Sequence, residues 1–231
     1  MASIARKAFD KNLKDIAKLM QLHKKEGGTS RGRRYDLEVL NKSAIVLITS
    51  YWEAYCEDIA AEAVEHIVKY AKDADKLPKD LKKGIAKKIK ADPHELAVWT
   101  LSDKKWKEYL KKNLLNELQD NRNRKLNTPT TENIENLFKS AIGLIDISKS
   151  WKWSNKMTIN RAKVKLDKYV KLRCEIAHRG KLSKSVTKSE VKDYLKFIKQ
   201  IAGKTGGKIN TYLKQHVGKP LWQIKKVKRI I

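Results

Sequence analysis

The stretch DLEVLNKSAIVLITSYWEAYCEDIAAEAVEHIVKYAKDA, residues 36–74, decides the fold class. Its apolar residues recur at three- and four-residue intervals, and it holds neither glycine nor proline, which reads as one long helix rather than a set of strands. Straight, it would be roughly 58 Å long and would bridge most of a domain of this size. The same spacing continues on both sides, and the prolines at 78, 93, 129 and 220 stand between helical runs rather than inside them. The chain is expected to be all-α, a helical bundle with long core helices and short additional ones.

Upstream, a first helix is expected from roughly Ile4 to Lys24, with Ile4, Ala8, Leu13, Ile16, Ala17 and Met20 near one face. It stops at EGGTSRGRR, residues 26–34, a basic loop whose Arg31, Arg33 and Arg34 are available to phosphate. Downstream, residues 78–127 read as a helical insertion. A short basic helix follows Pro78, and a second helix starts at Ser102 with Leu101 and Trp106 as its staple. After the linker NRNRKLNTPTT, the run ENIENLFKSAIGLIDI at 132–147 aligns Ile134, Leu137, Phe138, Ala141, Ile142 and Ile145 in one stripe. A further helix spans roughly Ile159 to Arg179 and is closed by Gly180. The last long helix starts at a capping box of Thr187 and Glu190, with Val186 and Val191 as its staple, and is expected to pause at Gly203 and at 206–207. A basic tail, 218–231, interleaves Lys225 and Lys226 with Trp222 and isoleucines. One domain over 1–231, with its core at about 36–203, accommodates all of this.

Charge narrows the partners. Fifty-three Lys and Arg against 26 Asp and Glu give a formal net charge of +27, far beyond what solubility needs, and such a surface seeks polyanions, RNA or DNA first. The basic residues are spread over the whole chain rather than gathered in one juxtamembrane cluster, which argues against a membrane partner. The longest strongly apolar run, AIVLITSYW at 44–52, is too short to span a bilayer, and the charged N-terminus lacks the apolar core of a signal peptide. Two cysteines, 56 and 174, lie within helical patterns, so a reducing cytoplasmic setting fits better than a disulfide framework. The five histidines have no metal-ligand spacing; neither metal nor cofactor is expected.

The stretch KLRCEIAHRGKL, 171–182, breaks the helical pattern in one respect. Leu166, Tyr169 and Val170 run on to Ile176 and Ala177, and the spacing drops Arg173 into the gap between them. An inward guanidinium must meet a carboxylate, a phosphate or a water-filled cleft. His178 follows about 140° round the helix, at the margin of that stripe. Glu53, flanked in WEAY by residues expected to be buried, is a candidate partner for Arg173 or an orienting group for His178. Two readings stay open: a nucleic-acid-cleaving pair, or a structural arginine in a binding or interaction protein that does no chemistry.

RCEIAH at 173–178, followed by Arg-Gly, resembles the Arg-x4-6-His signature of the HEPN superfamily. The order of SYWEAYCEDI, NIENLFKSAIGLIDI and the motif helix is similar to the RiboL-PSP group of HEPN proteins over about 40–200. The resemblance implies a HEPN-like bundle acting as a homodimeric, metal-independent endoribonuclease, a toxin or antiphage-defence effector, with the two motif helices facing each other. Arg173 and His178 match the motif. Cys174 departs from it, standing where the family commonly has asparagine, aspartate or histidine, and Glu175 is the adjacent polar residue that would substitute. Arg173 would hold the scissile phosphate and His178 would move the proton, a role suited to a group that titrates near neutrality. Cys174, Glu175, Arg179, the loop arginines 31, 33 and 34, and Lys225 and Lys226 are the expected RNA-binding positions, with Trp222 able to stack on a base. The net charge further suggests an acidic antitoxin or regulatory partner.

Overall fold

A computed structural model describes residues 2–27, 37–102, 105–124, 128–179 and 185–223, with the backbone alone at 114, 115, 117–124, 178 and 179. Among them are seven α-helices and no strand: α1 (Ile4–Gly27), α2 (Glu38–Tyr70), α3 (Lys79–Lys90), α4 (Lys105–Arg124), α5 (Thr131–Ile142), α6 (Ile159–Arg179) and α7 (Lys188–Val217). Short 3-10 helices lie at Ala74–Lys76, Glu95–Leu101 and Ile147–Ser150.

The long α2 is the axis. Its 33 residues span about 50 Å, and α1, α4, α5, α6 and α7 all pack on it. With neighbours on so many sides it buries residues around much of its circumference, among them Ile45, Ile48, Trp52, Tyr55, Cys56, Ile59, Ala63 and Ile67. One continuous core runs from Ala5 of α1 to Leu213 of α7.

Polar bonds seat α7 and its flanks against this core. Thr49 and Tyr194 share a hydroxyl bond of 2.9 Å, the Tyr55 hydroxyl donates to the Ala202 carbonyl at 2.9 Å, and Trp151 Nε1 donates to Thr205 Oγ1 at 2.9 Å. Left unmade in the interior, each such bond would cost about 1–3 kcal/mol. The capping box of α7 forms as expected: the Glu190 amide donates to Thr187 Oγ1 and the Thr187 amide to Glu190 Oε2, with Val186 and Val191 buried beside them.

Several local expectations are corrected. The face of α1 is rotated: Ala5, Phe9, Leu13 and Ile16 are buried, while Ile4, Ala8 and Ala17 are exposed, because the large Phe9 ring sets the helix against Tyr55 at 5.0 Å. Helix α5 stops at Ile142, where Gly143 adopts φ 73° and its amide donates to the Lys139 carbonyl at 3.0 Å. Past that reversal Leu144 is buried and Ile145 is exposed, so Ile145 leaves the stripe. The described part of α4 starts at Lys105, and just before it the Ser102 hydroxyl donates to the Trp99 carbonyl at the end of the preceding 3-10 helix. At its far end α4 extends through Arg124, into the expected linker.

Helix α7 does not pause at its glycines; it runs unbroken to Val217. Gly206 is there for closeness, since a Cβ at that position would stand 2.7 Å from the Tyr55 hydroxyl oxygen. No described helix is long and apolar enough to cross a membrane.

Candidate active site

Helix α6 opens at Thr158, whose Oγ1 accepts the Arg161 amide at 3.3 Å. Ala162, Leu166, Tyr169 and Val170 are buried and fix its first three turns, Tyr169 stacking on Tyr194 with ring centroids 4.0 Å apart. Burial then fades towards the motif. Arg173, Cys174, Glu175 and Ile176 are half-buried, and Ala177 is exposed, so the apolar stripe does not continue through Ala177 as the spacing suggests. Among the described residues the cover over α6 thins from Arg173 to Ala177, although the Arg173 Nε is itself buried. His178 and Arg179 occupy the last described turn, where only the backbone is described. Gly180, Arg31, Arg33, Arg34, Lys225 and Lys226 lie outside the described residues.

Helix α2 presents acids to this end of α6. Glu53 is half-buried, and Glu57, one turn on and on the same face, is 7% exposed. Burial pushes the Glu53 carboxyl up to about 7, the Glu57 charge pushes the same way, and the Arg173 guanidinium pulls against both. Arg173 and Glu53 therefore share one electrostatic environment. Beneath them the buried Cys56 thiol is held well above its ordinary range by burial and by the two carboxylates, which makes it inert packing rather than a nucleophile. Cys174 is a free, half-buried thiol.

Glu57 was missed in the sequence. Its signal was available, an acid four residues after Glu53 on a helix whose neighbouring positions are apolar. Trp222 is half-buried against α7, where its amide donates to Asn210 Oδ1 at 3.0 Å and its carbonyl accepts Asn210 Nδ2 at 3.1 Å, and its side chain packs in part against the core. Among the described residues no three of His, Cys, Asp and Glu gather as a metal site.

An all-α bundle wrapped around one long helix fits a domain of the HEPN type. Residues 8–211 match the RiboL-PSP-HEPN family, and the chain belongs to it. The match begins inside α1, well before the 40–200 span on which the resemblance rests, so α1 belongs to the family unit. No curated protein and no solved structure matches the chain.

Proposed function

We propose that the protein is a metal-independent endoribonuclease acting as a homodimer, with a composite site built from Arg173 and His178 of each protomer, and that it serves as a toxin or antiphage-defence effector. The observation that carries this is Arg173. It is a half-buried guanidinium on α6, electrically coupled to Glu53, five residues before a histidine, in a chain of the HEPN type. A phosphate arriving there would meet a fixed two-pronged donor.

The chemistry runs through the RNA's own 2′-hydroxyl. A base removes its proton, the oxygen attacks the adjacent phosphorus, and the 5′-oxygen of the next nucleotide leaves with a proton. The products are a 2′,3′-cyclic phosphate and a 5′-hydroxyl. His178 is assigned the proton transfer, Arg173 the charge that builds on the phosphoryl oxygens, and Glu53 the positioning of Arg173. His178→Ala tests this: cleavage is lost while RNA binding persists.

A second reading has one observation in its favour. Glu53 and Glu57 supply acids inside the protein itself, so Arg173 would have counter-charges without any phosphate. In that case the protein binds nucleic acid or a partner without cutting, and His178→Ala changes nothing.

A further inference from the structure

Two cavities open on the helical insertion. One, of about 910 Å³, lies between α4 and the 3-10 helix Glu95–Leu101; the other, of about 810 Å³, lies between α3 and α5. Both are lined by Lys88 and Asn113, whose side chains are joined by an Nζ–Oδ1 hydrogen bond of 2.7 Å, so the two adjoin at this pair and are taken together as a trough. Its described lining includes nothing from α2 or α6 and is separate from Arg173.

Three features of the trough converge on one kind of ligand. At one end the indole of Trp99 is 66% exposed, beside Leu96 at 60%, whereas Trp52, Trp106 and Trp151 are buried and Trp153 and Trp222 half-buried. Along the walls stand six lysines, 83, 87, 88, 105, 112 and 139, against three acids, Asp80, Asp92 and Glu108. Asn116 and Asn136, both exposed, add neutral amides that each donate and accept. An acidic peptide would use the lysines and leave the indole idle, and a duplex hides its base faces. An unpaired strand uses all three: phosphates at the lysines, base edges at the amides and a base face on the indole.

We propose that this trough binds a single-stranded segment of RNA, with Trp99 as the stacking platform and the lysines following the backbone. The choice of RNA over DNA rests on the nuclease reading above; the trough itself does not require that the protein cut. Gly84 lines the trough, and a Cβ there would meet nothing within 4 Å, so a side chain added at this position starts into open space.

The test uses the full chain and a labelled 2′-O-methyl RNA of about 12 nucleotides, which cannot be cut by 2′-hydroxyl attack. Binding is read by anisotropy and the site by ultraviolet crosslinking with peptide mapping. Trp99→Ala is expected to weaken single-strand binding about tenfold while leaving duplex binding unchanged. Gly84→Glu weakens it as well, Gly84→Gln less so, and Lys7→Ala, on the exposed side of α1, has little effect. Crosslinks fall within the segments that line the trough, 80–116 and 133–145, Trp99 among them. Wild-type affinity in both Trp99→Ala and Gly84→Glu, equal losses for single strand and duplex, displacement by polyglutamate as effective as by RNA, or crosslinks elsewhere would each overturn the proposal. If wild type fails to cut ordinary RNA but these binding results hold, the nuclease reading falls and the trough stands.

Discussion

Glu53 is under opposing influences: burial and Glu57 favour its neutral form, and Arg173 favours its charged one. Its folded-state value of about 7 exceeds the ordinary 4.5, so the folded protein holds this proton more tightly than the unfolded chain. Stability from this group is complete below pH 4.5 and is lost as pH rises through 7. Glu53→Gln should therefore flatten the pH dependence of Tm between 5 and 7 and stabilise the protein at pH 8. The expected gain is about 1–2 kcal/mol, allowing for the partial solvent access of the site. Arg173→Ala should move the Glu53 titration above its wild-type midpoint, read from the side-chain carboxyl by carbon NMR; an unmoved midpoint would mean the two charges do not interact. Arg173 was legible in the sequence because a cation interrupts an apolar series. What the series could not show is that burial fades before Ala177, since that depends on which neighbours reach the last turns of α6.

The helices themselves were largely readable, and the errors fall where packing overrides local pattern. Glycine was the main source. Gly143 ends α5 two residues before its apolar spacing runs out, whereas Gly203, Gly206 and Gly207 interrupt nothing. The difference is whether the glycine takes a positive φ or admits a neighbour, and only the folded partner reveals the second. Gly206→Ala would drive a methyl against the Tyr55 hydroxyl and disturb its bond to the Ala202 carbonyl. A loss of about 2 kcal/mol is expected, seen as a Tm several degrees lower, and the Tyr55→Phe background should recover part of it. If Gly206→Ala melts like wild type, the close approach of α2 and α7 does not constrain this position. The α1 stripe failed for a related reason: Ile4 and Ala8 fit the periodicity as well as Ala5 and Phe9, and the Tyr55 ring on another helix decides between them.

At the scale of the whole molecule, a formal net charge of +27 makes RNA affinity a poor guide to specificity, because any polyanion will bind and salt will weaken it. Assembly and cleavage discriminate better. Sedimentation equilibrium should give a dimer if the motif helices of two protomers build one site; a monomer at concentrations where the protein is active would rule out the composite arrangement. The first experiment is incubation of wild type, Arg173→Ala and His178→Ala with end-labelled RNA in excess EDTA, mapping the termini formed. The nuclease proposal predicts cutting by wild type alone, with 2′,3′-cyclic phosphate ends and DNA left intact; binding by all three proteins with cutting by none, or cutting by all three alike, would contradict it.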